Sequence, residues 1–136
     1  MGVLMIKIKN MKKIYLAIPY SGMEESSYEQ ATLATAIIMQ TGETNVFSPI
    51  THSHPLTKFE GIEMPGTWEF WEKVDYQYID WSDEIWVLIP KESEYLELVM
   101  NSTGVMAEMK YAKAEKKKIK FFRVINNQIV FDKQNG

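Results

Sequence analysis

The chain has 136 residues, 46% of them hydrophobic, and a net charge of −3 with acids and bases interleaved. That is enough for one folded domain with one core, and it leaves no basic face for a nucleic-acid polymer. The absence of cysteine excludes disulfides, thiolate zinc sites and cysteine nucleophiles, and 2 histidines, His52 and His54, are a thin basis for a metal centre.

Residues 1–10 mix Val3, Met5, Ile6 and Ile8 with Lys7 and Lys9, which fits either an extension outside the core or an edge strand. They lack the apolar core and cleavage site of a signal peptide, and no stretch approaches the roughly 20 apolar residues of a membrane span. A cytoplasmic protein with no membrane partner is the expectation. Residues 13–18 form a nearly continuous apolar run, the pattern of a parallel strand covered on both faces. Pro19, Tyr20, Ser21 and Gly22 break it as turn residues. From 24 to 40 the period becomes helical, with Tyr28, Ala31, Ala34, Thr35 and Ile38 on one face and Thr41 and Gly42 as the stop. Residues 45–48 read as a short second strand. Residues 49–66, with 3 prolines and 2 glycines, read as a long irregular loop that could close over a site as a lid.

The next helix begins at Thr67. Its stripe of Trp68, Trp71, Val74, Tyr78 and Trp81 is expected in the core or at a subunit interface, with Asp75 beside it. Asp83 reads as the cap that closes this helix before a third strand at 85–89. Residues 91–101 connect onward with a helical turn near 95–100. Ser102 reads as the N-cap of a helix over 105–117, which Lys116, Lys117 and Lys118 close at the negative end of its dipole. A fourth strand at 119–124, a turn at 125–128 and an antiparallel edge strand at 129–131 complete the chain, with a polar, frayed tail from 132.

Strands alternating with helices imply an α/β fold, a Rossmann-like three-layer sandwich with a mostly parallel sheet of four or five strands, in one domain spanning 1–136 with a possible extension at 1–11. Such sheets bind ligands at the carboxyl ends of their strands. Tyr20, Ser21 and Gly22, residues 51–54, and Ser102, Thr103 and Gly104 would meet there. A small polar residue, a glycine and then Glu108 at the start of a helix suit a phosphorylated or sugar ligand. The positive end of the helix dipole would keep Glu108 ionised as a nucleophile. Each residue also has a plainer reading. Glu108 fits a solvated helix carboxylate, Asp75 a surface residue, Tyr15 strand packing and Ser102 a cap alone. His52 and His54 fit a ligand contact or a loop hydrogen bond better than a metal pair.

Three segments together resemble the nucleoside 2-deoxyribosyltransferase superfamily, which contains the nucleoside deoxyribosyltransferases and the nucleoside 5′-monophosphate N-glycosidases. They are Ile14-Tyr15-Leu16-Ala17, Asp75 with Ser82-Asp83, and Ser102-x-Gly104-x-x-x-Glu108, and the resemblance runs over about residues 12–124. The phrase from Ser48 to His54 resembles a largely uncharacterised subgroup. The resemblance implies that Glu108 attacks C1′ of the sugar to form a covalent glycosyl-enzyme, in the manner of a retaining glycosidase. It implies that Asp75 contacts the base and assists its departure, and that Tyr15 orients the nucleophile. Ser102, where a carboxylate would repel a phosphate, points to a 5′-monophosphate. Ser102, Thr103, Gly104, Ser21, Tyr20 and His52 are the expected substrate-binding residues. The turn from Ile18 to Gly22 lacks the arginine with which the hydrolases grip phosphate, and the 91–101 segment is longer than theirs.

The function expected is therefore cleavage or transfer of the N-glycosidic bond of a nucleoside or its 5′-monophosphate, without cofactor or metal, by a homo-oligomer (dimer or tetramer). The alternatives are a non-catalytic nucleotide- or metabolite-binding module of the same fold, and an assembly protein that buries its tryptophan helix in a partner.

Overall fold

The computed structural model describes residue 8 and residues 10–132. The expectations for residues 1–10 and for the tail fall almost wholly outside the described residues. In chain order the elements are β1 (Lys12–Ala17), α1 (Glu24–Met39), β2 (Thr44–Phe47), α2 (Pro49–Ser53), a 3₁₀ helix (His54–Lys58), α3 (Trp68–Trp81), β3 (Glu84–Leu88), α4 (Glu97–Met100), α5 (Thr103–Ala114), β4 (Lys118–Ile125) and β5 (Gln128–Phe131). The sheet order is β2-β1-β3-β4-β5. β1 pairs in parallel with β2 (Ile14 opposite Val46) and with β3 (Leu16 opposite Trp86), and β3 pairs in parallel with β4. β5 returns antiparallel on β4, with Val124 opposite Ile129. Left-handed backbone at Asn126 (φ 51°) and Asn127 (φ 58°) makes this tight hairpin turn, a conformation that asparagine tolerates.

The apolar runs are continuous because both faces of the sheet are covered. Ile14, Leu16 and Ile18 point to one side, against Ala31, Ala34 and Ile38 of α1. Tyr15 and Ala17, with Ile85 and Val87, point to the other, against Ile79 of α3 and Val105, Met109 and Ala112 of α5. The result is a three-layer α/β sandwich of Rossmann-like type. Each fully buried Ile, Leu or Val contributes roughly 1.5–3 kcal/mol.

Four local expectations are corrected. Residues 49–58 are helical rather than irregular. The Ser48 hydroxyl caps α2 by accepting from the Thr51 N–H at 3.3 Å, and Pro49 supplies a first-turn φ, so a cap and a proline outweigh the loop-like composition. In α3 the deepest residues are Asp75 and Ile79, while Trp68, Trp71 and Trp81 are only half-buried, which removes the core half of the expectation for the stripe. Asp83 does not cap α3. Its carboxylate accepts from the Lys13 N–H at 2.8 Å while its own N–H donates to the Lys13 carbonyl at 2.7 Å, tying β3 to β1. The lysines close α5 through their backbone rather than by charge: Lys116 takes a left-handed φ of 60° and its N–H donates to the Lys113 carbonyl at 3.0 Å, while the Lys117 N–H donates to that of Ala112 at 2.9 Å. The helix ends at Ala114, and Lys117 Nζ instead donates to the carbonyls of Asp80 (3.1 Å) and Ser82 (2.6 Å) at the end of α3.

Candidate active site

Three side chains from three elements converge beneath the carboxyl edge of the sheet. Strand alternation turns Tyr15 toward α3 and α5, where its ring is fully buried. On α5 the positions Val105, Glu108, Met109 and Ala112 follow the inward helical spacing, so Glu108 is an interior residue, 5% exposed. On α3 the inward pair Asp75 and Ile79 leaves Asp75 7% exposed. The Tyr15 hydroxyl donates to Glu108 Oε2, and the Asp75 carboxyl lies close enough to both groups to shift their protonation. Among the described residues no fully enclosed side-chain polar atom lacks a partner.

Burial pushes the Glu108 carboxyl above the ordinary carboxylate range, and the Asp75 charge pushes it further. The hydrogen bond from Tyr15 opposes both. Burial likewise raises Asp75, and the neighbouring Tyr15 and Glu108 side chains partly oppose that rise. The Tyr15 hydroxyl is raised by burial and then by the two carboxylates. Two carboxyl groups this close and this dry share a proton rather than both ionise. This overturns the expectation that the helix dipole keeps Glu108 ionised. The dipole acts within the first turn, whereas Glu108 lies beyond it and desolvation dominates.

Asp75 and Glu108 open onto a cleft of about 580 Å³ at the carboxyl ends of β1 and β3, a size suited to a small organic ligand. Tyr20, Ser21, Ser102, Thr103 and Gly104 all line it, as the sequence suggests, whereas Tyr15 stands behind Glu108. A Cβ on Gly104 would meet the Trp68 ring at 3.7 and 3.9 Å, an ordinary contact. Ser102 Oγ accepts from the Val105 N–H at 3.2 Å, leaving its hydroxyl proton free. His52 does not line the cleft and packs against Phe47, ring centroids 5.5 Å apart. His54 lines it instead, with Ser53 and Glu24. Residues two apart in helical backbone face different ways, so reading 51–54 as a loop hid this distinction. Trp68 and Trp71 form a wall, with Trp71 Nε1 donating to the Pro65 carbonyl at 2.8 Å. Glu24 Oε2 accepts from the Gly22 N–H at 2.7 Å, and that bond holds its carboxyl below the usual range. Among the described residues no lysine or arginine lines the cleft, and no cluster of three or more His, Asp or Glu is placed to hold a metal ion.

The fold is that of the 2-deoxyribosyltransferases. A solved structure of 2-deoxyribosyltransferase from the psychrotolerant bacterium Bacillus psychrosaccharolyticus superimposes with a TM-score of 0.55 at 25% identity, over 84% of this chain and 74% of that one. Residues 12–124 match the model of the family described as Domain of unknown function (DUF1937), and the chain belongs to that family. No curated protein matches the sequence.

Proposed function

We propose that the protein cleaves or transfers the N-glycosidic bond of a nucleoside, or of its 5′-monophosphate, through a covalent glycosyl-enzyme on Glu108. The observation that carries this reading is the buried Tyr15–Glu108–Asp75 cluster opening onto the cleft. The likeness to a 2-deoxyribosyltransferase supports it. One proton shared by two carboxyl groups is the stock the chemistry needs. When it moves from Glu108 to Asp75, Glu108 becomes a carboxylate nucleophile and Asp75 a general acid. The Glu108 oxygen then bonds C1′, the C1′–N bond breaks, and its electron pair, joined by the Asp75 proton, leaves with the base. In the second step water or another base attacks C1′, Asp75 takes the proton, and Glu108 regains its electron pair. Tyr15 steadies the Glu108 carboxylate by donating to it.

A phosphate would rest on the hydroxyls of Ser21 and Ser102 and on the N–H groups opening α5. We read the molecule as a one-domain, cytoplasmic homo-oligomer. The exposed Phe59, Ile62 and Phe70 offer apolar surface for a second copy, and no helix among the described residues is long and apolar enough to cross a membrane. Ligand binding without turnover is the second reading, favoured by the protonation that burial imposes on Glu108.

The test is base release from a panel of deoxy- and ribonucleosides and their 5′-monophosphates. The parent should release base, Glu108→Ala should not, and Asp75→Asn should be slower by about 10²–10⁴-fold. Binding without release from any member would favour the second reading.

A further inference from the structure

We propose that Tyr20, His54 and Glu25 form a hydrogen-bond relay that holds the Tyr20 hydroxyl as an acceptor for a neutral donor, a hydroxyl or an amino group, on the ligand. The ligand half of this inference rests on the reading of the cleft given above. The relay joins the turn after β1, the first turn of α1 and the start of the 3₁₀ helix. Tyr20 Oη lies 2.7 Å from His54 Nδ1, and His54 Nε2 lies 3.0 Å from Glu25 Oε1. His54 is 3% exposed, and its ring stacks on Tyr28 at 4.7 Å, so it cannot turn to exchange these partners. Lys58 Nζ lies 2.9 Å from the same Glu25 oxygen. Lys58, and then His54, hold that carboxyl below its usual range, so it is an ionised acceptor.

The donors and acceptors then follow in order. A carboxylate only accepts, so Nε2 carries the imidazole proton. In the neutral ring Nδ1 is therefore a lone pair, and the Tyr20 hydroxyl must donate to it. The single proton of Tyr20 is thereby committed, and the oxygen has only lone pairs to offer the cleft. Thr57 gives its hydroxyl proton to the His54 carbonyl at 2.7 Å, so beside Tyr20 it can only accept, and the Tyr20 oxygen still faces the cleft without a proton. Glu24 adds a carboxylate to the same wall. With no lysine or arginine among the described lining residues, a phosphate dianion, itself an acceptor, finds only acceptors in Tyr20 and Glu24. A hydroxyl or amino group can donate to them. His54 and Glu25 act through Tyr20 and are positioning residues.

The experiment has two arms. The imidazole tautomers are read by ¹⁵N NMR at pH 8, with His52→Gln assigning the signals. His54 should hold its proton on Nε2, and a proton on Nδ1 overturns the relay whatever the activity. The second arm is steady-state base release from 2′-deoxyadenosine. Tyr20→Phe should raise KM about tenfold with kcat little changed. Glu25→Ala, which removes a side chain outside the cleft, should raise KM several-fold. The double variant should be no worse than Tyr20→Phe, and Lys58→Ala, which keeps the carboxylate, should match the parent. The effect of Tyr20→Phe should vanish with 2′,5′-dideoxyadenosine if the donor is the sugar hydroxyl, or with the purine deoxyriboside lacking the amino group if it is the base. Parent turnover with additive variants, or with Glu25→Ala unchanged, overturns the inference and leaves the reading of the site standing. No release of any base by the parent counts against that reading and, with it, the ligand half of the inference; the tautomer arm still decides the relay.

Discussion

Glu108 is the residue on which local physics and sequence intuition part. Helix position suggests an ionised carboxylate, but a group 5% exposed beside Asp75 is held mainly protonated. Its folded-state affinity for a proton exceeds the unfolded value. The stabilising effect of that proton is therefore complete below the ordinary carboxylate pKa of about 4.3 and is lost as pH rises through the raised value. Glu108→Gln mimics the protonated form at every pH. Its melting temperature should equal the parent's near pH 4 and exceed it by several degrees at pH 8, as followed by calorimetry. A constant offset, or a parent that gains on the variant as pH rises, would contradict the assigned protonation. Tyr15 and Asp75 were identifiable only through the resemblance. A tyrosine in a strand and an aspartate on a helix carry no mark of their neighbours until the sheet brings positions 15, 75 and 108 together.

Among the elements, those with strong periodicity are legible from sequence. The continuous run of β1, the helical spacing of α1 and the paired asparagines of the last hairpin match what is observed. Composition misleads at 49–58, where prolines suggest a loop although Ser48-Pro49 is a helix start, and is right at 59–66, which is irregular. That error also concealed which histidine faces the cleft. The aromatic stripe of α3 misleads in another way. Trp68 and Trp71 border the cleft, Tyr78 stacks on Phe47 (3.6 Å), and Tyr76, outside the stripe, stacks on Tyr111 (4.1 Å). Asp83 and Lys117 bridge elements far apart in sequence, which no local rule anticipates. Ser102 is the cap that local rules do predict. Ser102→Ala should lower stability by about 1 kcal/mol, read from the denaturation midpoint at unchanged slope. No loss of stability would mean that the α5 terminus is satisfied some other way.

At the scale of the whole molecule, the parallel sheet sets what is possible. Its carboxyl edge gathers the turn after β1, the segment after β2 and the opening of α5 around one cleft, and the layer beneath supplies the buried carboxyl pair. The α/β class and the location of the site were legible because strand order and burial follow from hydrophobic pattern. The acidic lining, without lysine or arginine among the described residues, was not, since it depends on which side chains turn inward. Covalent trapping tests the central claim most directly. A 2′-deoxy-2′-fluoro-arabinonucleoside destabilises the oxocarbenium-like transition state and slows release of the glycosyl-enzyme. After incubation with it, intact-protein mass spectrometry should show one added fluorosugar, mapping to the peptide that contains Glu108. Base release without an adduct, or an adduct on any other residue, would contradict Glu108 as the nucleophile.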